Sequence, residues 1–267
     1  MTEARMQETP ENKPGTFCWV ECGTTNSAAV KPFYKELFGW EYDDQPMGPG
    51  GVYTIIKLRG KDVGGLYDMP SEMLTQNVPS HWLSYIAVEN ADDATAQAIS
   101  AGGTVMREPT DAGPNGRLSI VQDPTGAVFA VWQAKAQAGA GAYRETGSFC
   151  WNELATPDAQ KAGDFYALLF GWGRETFPGP SDYVIFKNGD VGVGGMHQIT
   201  PEMGPVPPHW LVYFSVNDCD ATVRKVTELG GGILRPAEDI PDIGRFAILT
   251  DPASAVFAII KPETPKA

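Results

Sequence analysis

The sequence has 267 residues, a length that suits two domains, each burying a core of its own. Its 33 acidic and 20 basic side chains give a formal net charge of -13, which disfavours nucleic acid and anionic membranes as partners. The N-terminal stretch contains no signal-like apolar run, and no later stretch approaches ~20 consecutive apolar residues, so the sequence predicts a cytoplasmic protein.

The predicted elements follow one order twice along the chain. After a polar tail over residues 1–14, which we predict to be disordered, a strand FCWVEC leads to a helix ending in FYKELFGW, and strand-like runs follow. His81 opens a second unit of the same kind. The pattern begins again at GSFCW and contains FYALLFGW. We therefore predict a first domain over residues 15–134, a linker over 135–146 and a second domain over 147–262.

The repeated helix carries clear start and stop signals in both copies. Asn26 and Asp158 stand where a helix N-cap is expected, seven residues before each Phe-Tyr pair. Gly39 and Gly171 stand where a left-handed residue ends a helix, and a tryptophan follows each glycine. These signals predict that both helices are scaffold elements of equivalent domains.

Three motifs in each copy carry a resemblance to a known family: FY-x-x-x-FGW on the first helix, HW-x-x-Y at the second unit, and DP-x-x-A-V-F-A near the end. Together they resemble the vicinal oxygen chelate superfamily, which includes glyoxalase I, extradiol dioxygenases, and fosfomycin and bleomycin resistance proteins. The resemblance implies an α+β fold of two tandem vicinal oxygen chelate domains. Each would contain paired βαβββ modules that form a curled half-barrel sheet.

The tandem arrangement, with FCW in both copies, is similar to a narrower group of glyoxalase-like proteins. Members of this group are often labelled hydroxylases and are associated with antibiotic pathways, including those of anthracyclines such as daunorubicin. The fold alone does not assign a reaction, because the superfamily hosts several chemistries.

The resemblance also indicates where metal ligands would lie on the inner face of each half-barrel. The matching positions of this sequence are Trp19, Leu83 and Ala130 in the first copy and Trp151, Leu211 and Ala258 in the second. None of these side chains can donate a lone pair to a metal ion. We therefore expect neither a metal nor another cofactor.

A cavity lined by such side chains suits a flat aromatic ligand that binds by stacking. The predicted lining is Phe17, Trp19, Leu83, Tyr85, Ala130 and Trp132, with Phe149, Trp151, Leu211, Tyr213, Ala258 and Ile260 in the second domain. An alternative interpretation is that Trp19 and Trp151 only plug a closed barrel.

Each domain also offers one glutamate and one histidine to the same face, because residues two apart on a strand share a face. The candidate catalytic residues are Glu21 with His81 and Glu153 with His209. A two-histidine, one-carboxylate metal site of Glu153, His197 and His209 is the fallback in the second domain. In the alternative interpretation, His81 and His209 are strand-end imidazoles that bond to backbone.

The favoured hypothesis is a metal-free protein that binds an aromatic, polyketide-like small molecule, either to sequester an antibiotic or to assist a biosynthetic oxidase. The alternative is a vicinal oxygen chelate lyase, isomerase or hydroxylase that uses glutamate and histidine, or a divalent metal in the second domain. A stability or interaction module is the third hypothesis. The sequence leaves open whether the protein is a monomer or a homodimer.

Overall fold

The computed structural model describes residues 12–48, 51–177 and 183–263. Most of the predicted disordered tail, residues 1–11, lies outside the described residues. Among the described residues, no helix combines the length and apolar character that crossing a membrane requires.

Both halves of the chain fold into the predicted order of strand, helix and three strands, twice over. The first half contains β1 (Phe17–Thr24), α1 (Ser27–Phe38), β2 (Glu41–Met47), β3 (Gly51–Leu58), β4 (Lys61–Asp68), α2 (Ser71–Thr75), β5 (His81–Ala87), α3 (Ala91–Ser100), β6 (Thr104–Asp111), β7 (Gly116–Gln122) and β8 (Val128–Ala134). The short helix α2 lies in the connection between β4 and β5.

The second half repeats these elements. It contains β9 (Phe149–Thr156), α4 (Ala159–Phe170), β10 (Gly173–Thr176), β11 (Val184–Asn188), β12 (Val191–Gln198), a 3-10 turn (Pro201–Met203), β13 (His209–Ser215), α5 (Cys219–Glu228), β14 (Gly232–Ile240), β15 (Gly244–Thr250) and β16 (Val256–Pro262).

Each half forms one mixed sheet of eight strands. The strand orders are β2-β3-β4-β1-β5-β8-β7-β6 and β10-β11-β12-β9-β13-β16-β15-β14. The two modules of a domain meet through antiparallel pairing of β1 with β5 and of β9 with β13. The predicted fold class of two tandem domains with paired βαβββ modules is confirmed, whereas the domain boundaries in residue numbers stay a prediction.

The ends of α1 and α4 agree with the sequence signals. The Asn26 side chain accepts a hydrogen bond from the Ala29 amide at 3.1 Å, and Asp158 accepts one from the Lys161 amide at 2.9 Å. Gly39 has φ of 74° and Gly171 has φ of 69°, which is the left-handed conformation that ends many helices. Capping therefore fixes the length of both helices from local sequence alone.

The segment predicted as a linker is bound to the first domain. The Ala140 amide donates to the Cys18 carbonyl at 2.8 Å, and the Gly141 amide donates to the Asp62 carbonyl at 2.7 Å. Glu145 accepts hydrogen bonds from Arg59 at 2.8 Å and from Lys61 at 2.7 Å. The connection between the domains is therefore fixed to the first sheet by several contacts.

Each of the two long capped helices carries a tyrosine that reaches into the other domain. From α1, the Tyr34 hydroxyl donates to Asp251 Oδ2 at 3.0 Å, in the turn before β16. From α4, the Tyr166 hydroxyl donates to Asp123 Oδ2 at 2.9 Å, in the matching turn before β8. The same hydroxyls accept the indole N–H groups of Trp82 at 3.0 Å and Trp210 at 2.8 Å.

Aromatic packing surrounds these hydrogen bonds and joins the two domains into one core. The Phe33 ring lies 6.2 Å from Phe257, and the Phe38 ring lies 5.2 Å from Phe214, measured between ring centroids. Phe129 packs against Phe165 in the mirrored position at 6.1 Å. The outer faces of both sheets are thus covered by the helices, which leaves the opposite faces free for a site.

We expect Tyr34→Phe to lower the free energy of unfolding by about 2 to 3 kcal/mol, because it leaves Asp251 and the Trp82 indole without their buried partner. Tyr166→Phe should cost a similar amount for the mirrored reason. Urea unfolding followed by circular dichroism measures both.

Tyr42→Phe is the matched control, since this half-buried hydroxyl donates only to the Lys31 carbonyl within its own domain. We expect a loss of about 1 kcal/mol for this variant. Equal losses in all three variants would contradict a special role for the interdomain tyrosines.

Candidate functional site

A cleft of 2560 Å³ lies on the sheet faces turned away from the long helices, which we call the inner faces. In the first domain the cleft is lined by Trp19, Glu21, Tyr53, Leu83, Tyr85 and Trp132, among others. It extends to the second domain, where its lining includes Glu153, Ala155, His197, His209 and Leu211. Its walls combine aromatic and aliphatic side chains with many polar and charged ones.

Strand register explains why these side chains meet. In the pairing of β1 with β5, Trp19 lies opposite Tyr85 and Glu21 lies opposite Leu83. In the pairing of β5 with β8, Ala130 lies beside Tyr85. Because alternate residues of a strand share one face, these positions all point to the inner face.

Trp19, Glu21, Tyr53 and Tyr85 form a hydrogen-bonded group that we call the first cluster. Trp19 Nε1 donates to the Tyr53 hydroxyl at 3.2 Å, and the Tyr85 hydroxyl donates to Glu21 Oε1 at 3.0 Å. The Tyr53 hydroxyl lies near enough to the Glu21 carboxyl to lower the pKa of that group. Trp19 and Tyr85 therefore each donate within the cluster, and Glu21 is its carboxylate.

A glycine makes room for this arrangement. Gly65 lies beside Glu21 in the pairing of β1 with β4, and a methyl group at Gly65 would overlap the Tyr53 hydroxyl. Gly195 has the same relation to Tyr183 in the second domain. Both glycines thus let a tyrosine hydroxyl lie against the sheet.

The first cluster has perturbed acidities. Burial raises the pKa of Glu21, and the Tyr53 and Tyr85 hydroxyls and the more distant charge of Arg107 partly oppose this shift. Burial, followed by the nearby Glu21 charge, raises the pKa of both tyrosines well above the ordinary value. Both phenols therefore stay protonated near neutral pH and act as donors to the carboxylate.

The second domain contains the same group, which we call the second cluster: Trp151, Glu153, Tyr183 and Tyr213. Trp151 Nε1 donates to the Tyr183 hydroxyl at 3.0 Å, and the Tyr213 hydroxyl donates to Glu153 Oε1 at 3.0 Å. The nearby Glu153 raises the pKa of Tyr183, after burial, which is the larger cause. The two indole and tyrosine hydrogen bonds are therefore repeated in the second domain.

The strand-end histidines are held by backbone carbonyls. His81 Nδ1 lies 2.9 Å from the Pro79 carbonyl oxygen, and His209 Nδ1 lies 2.8 Å from that of Pro207. Since a carbonyl only accepts, Nδ1 carries the proton and Nε2 of the neutral ring is left as an acceptor. Burial lowers the pKa of His209, which favours that neutral ring. The glutamates bond to tyrosines, so the predicted glutamate and histidine pairs share a cleft without a direct hydrogen bond between them.

The cleft brings together most of the predicted ligand-binding residues of the first domain. Trp19, Leu83, Tyr85 and Trp132 line it, and Ala130 is buried beside Tyr85. Leu211 lines its second-domain part, Trp151 and Tyr213 belong to the second cluster, and Ala258 lies buried beside Tyr213.

Phe17 and Phe149 lie elsewhere. The Phe17 ring packs in the interdomain core, 5.0 Å from Trp210 and 5.8 Å from Trp172 between ring centroids. Phe149 packs 5.0 Å from Tyr143 of the connecting segment. In both domains the strand pairing shifts register next to this phenylalanine, so the simple alternation used to place it on the inner face fails there.

Sequence reasoning missed two pairs of matched residues at the site. Tyr53 lies in β3 and Tyr183 immediately precedes β11, at matching positions of the two copies, and Arg107 and Arg235 line the cleft from β6 and β14. Their recurrence in both copies is the signal that could have found them. The two arginines have different neighbours. Arg235 pairs with Glu238 and lies 5.0 Å above the Phe246 ring. In the first domain, Thr110 and Leu118 occupy the positions that match Glu238 and Phe246.

The residues present do not fit the divalent metal that the resemblance implies. Its ligand positions hold the tryptophan, leucine and alanine side chains named above, which offer no lone pair. Within residues 12–48, 51–177 and 183–263, no three His, Cys, Asp or Glu side chains are grouped so as to hold a metal ion. The fallback group of Glu153, His197 and His209 is thus not assembled as a metal site here.

Sequence comparisons relate the chain to a broad family and to proteins of known pathways. The family model of the Glyoxalase/Bleomycin resistance protein/Dioxygenase superfamily matches residues 18–131 and 149–259. A Mycobacterium tuberculosis protein, CFP32, named as a proposed glyoxylase, is 41% identical over 260 residues, covering 96% of this chain and 98% of its own length. The anthracycline biosynthesis protein DnrV of Streptomyces peucetius is 35% identical over 260 residues, covering 93% and 94%.

Solved structures share the fold at low sequence identity. The Mn(II)-bound glyoxalase from Novosphingobium aromaticivorans has a TM-score of 0.63 and 18% identity, covering 93% of this chain and 82% of that one. The 2,3-dioxygenase LapB from Pseudomonas sp. KL28 has a TM-score of 0.62 and 11% identity, covering 94% and 95%. At such identities the likeness concerns the fold alone.

We expect Tyr53→Phe to move the indole N–H resonance of Trp19, because the acceptor 3.2 Å from Nε1 is removed. Tyr183→Phe should move the resonance of Trp151 in the same way. The measurement is a ¹H–¹⁵N spectrum in which the two indole signals are assigned by Trp19→Phe and Trp151→Phe.

Each tyrosine variant serves as the control for the other, since the clusters belong to different sheets. Loss of Tyr53 should leave the Trp151 signal in place, and loss of Tyr183 should leave that of Trp19. Unmoved signals in both variants would contradict the hydrogen-bonded clusters.

Proposed function

Because this chain belongs to the Glyoxalase/Bleomycin resistance protein/Dioxygenase superfamily, we propose that it is a metal-free member that binds an aromatic, polyketide-like small molecule in the cleft. The observation that carries this proposal is the cleft lining at the superfamily's ligand positions. Trp19 and Leu83 stand there with Tyr85 in register beside them, so stacking surface replaces metal ligands.

The polar groups in the cleft support a binding role. Small-molecule sites are mostly apolar, with a few fixed polar groups that orient the ligand. The Glu21 carboxylate is fixed by the Tyr85 and Tyr53 hydroxyls, and these are fixed in turn by the sheet and by Trp19. A flat ligand could lie against the rings and hydrogen-bond to the cluster at its edge.

The relatives suggest the chemical class of the ligand. DnrV and its counterpart DauV of Streptomyces sp. strain C5 are named as anthracycline biosynthesis proteins, and both are 35% identical to this chain. By analogy, the ligand is an antibiotic-type fused aromatic. The protein would either sequester it and protect the producing cell, or receive it from a biosynthetic oxidase.

A second candidate function is acid-base catalysis on the same ligand. The observation that favours it is Glu21, a carboxyl in the cleft whose pKa burial raises above its ordinary value, which makes it a better proton acceptor. The Nε2 acceptor of His81 borders the same cleft. Such chemistry would be a lyase, isomerase or hydroxylase reaction that proceeds through these side chains.

We expect an anthracycline to quench tryptophan fluorescence on binding, and Trp19→Ala or Trp151→Ala to weaken binding by about fivefold, because a stacked ring pair is worth about 1 kcal/mol. Calorimetric titration supplies the dissociation constants. Leu168→Ala is the control, since that side chain is 66% exposed on α4, away from the cleft. Absence of binding, or unchanged binding in both tryptophan variants, would count against the proposal.

Metal analysis and a turnover assay separate binding from catalysis. We expect less than about a tenth of an equivalent of transition metal in the purified protein. We also expect no isomerisation of the hemithioacetal of methylglyoxal and glutathione. Turnover that falls by about a hundredfold in Glu21→Gln or Glu153→Gln would favour the enzyme instead.

A further inference from the structure

One difference between the inner faces of the two domains is a row of residues across three neighbouring strands. In the first domain the row is Tyr67 on β4, Gly23 on β1 and His81 on β5, as the two strand pairings show. In the second domain the matching row is His197, Ala155 and His209. The adjoining cluster has the same residue types in both domains, so this row changes the chemistry next to a shared group.

In the first domain, the phenol ring of Tyr67 occupies the space along this row. A methyl group at Gly23 would lie 2.9 Å from the Tyr67 hydroxyl and 3.1 Å from His81 Cε1, so both rings fold over the glycine. Burial raises the pKa of Tyr67, which keeps this phenol protonated. A neutral phenol therefore lies next to the imidazole whose Nε2 is free to accept.

The second-domain row lacks that phenol and has polar atoms left over. Among the described residues, His197 Nε2 is buried with no hydrogen-bond partner. His209 uses Nδ1 for the Pro207 carbonyl, which leaves its Nε2 as an acceptor. A buried nitrogen without a hydrogen-bond partner lowers the stability of the fold, so a ligand group that hydrogen-bonds to it would explain its presence. His197, Ala155 and His209 all line the cleft, where such a group would be reached from solvent.

We propose that His197 and His209 form a binding site for a phenolic or enolic hydroxyl of the ligand, above the Ala155 methyl group. One hydroxyl can donate to His209 Nε2 and accept from His197 Nε2–H at the same time, which satisfies both rings. The ligand would thus supply from outside the phenol that Tyr67 supplies in the first domain. This inference rests on the proposed binding function and specifies its ligand as a hydroxylated aromatic.

The test uses 2-hydroxyanthraquinone and 2-methoxyanthraquinone, two flat probes that differ only by the methyl group on one oxygen. Calorimetric titration of the full chain should show about tenfold tighter binding of the hydroxyl probe. His197→Ala and His209→Ala should each reduce that preference to about one, while binding of the methoxy probe changes little. His81→Ala is the matched first-domain control and should keep the preference.

A double variant, Ala155→Gly with His197→Tyr, copies the first-domain row into the second domain. Since that arrangement already exists in the fold, the variant should fold, and its own phenol should compete with the probe. We expect the preference for the hydroxyl probe to be lost in this variant. A retained preference would contradict the proposed site.

The remaining outcomes separate this inference from the proposed function. Equal binding of the two probes to the unmodified protein overturns the hydroxyl site and leaves aromatic binding intact. A preference that disappears in His81→Ala alone, or after treatment with a chelator, also overturns it, because the site would then be in the first domain or would depend on a metal. Failure of both probes to bind contradicts the proposed function and this site with it.

Discussion

The reciprocal hydrogen bonds of Tyr34 with Asp251 and of Tyr166 with Asp123 are the constraint on which the rest of the structure depends. Each tyrosine is fully buried, accepts an indole N–H from its own domain and donates to a carboxylate of the other. Because unmet buried polar groups are costly, these bonds fix how the helices lie between the sheets. The aromatic core forms around them, and the inner faces are left open to the cleft.

On the inner faces, too, hydrogen-bond donors are paired with acceptors, and these pairs hold the two clusters together. The indole N–H of Trp19 or Trp151 has an acceptor, and the tyrosine hydroxyls have a carboxylate. A rigid group of this kind presents a defined carboxylate edge next to ring surfaces, as a recognition site requires. The residue types of this group are the same in both domains, whereas the adjoining row that contains Gly23 or Ala155 differs between them.

Local signals in the sequence predicted the scaffold well. Caps at Asn26 and Gly39 set the helix, and their matched counterparts revealed the duplication, because capping depends on residues close in the chain. The resemblance placed Trp19 on the inner face, where it lies. Strand alternation misplaced Phe17, because a register shift within a strand leaves no trace in the residue types. Tyr53 was not predicted as a site residue. It lies on β3 and approaches Glu21 of β1 across Gly65 of the intervening strand β4, and such neighbours are set by the tertiary fold.

The contact of α1 with the second domain and that of α4 with the first domain mirror each other, and this symmetry bears on how the chain evolved. Two copies of a single domain would make these contacts as a self-complementary dimer, in which one surface meets its own duplicate. In such a dimer every substitution occurs twice, so a histidine at the position of His197 could not coexist with a tyrosine at that of Tyr67. Joining the copies through residues 135–146 removed that restriction. One polypeptide can then hold two different inner surfaces under a single symmetric core.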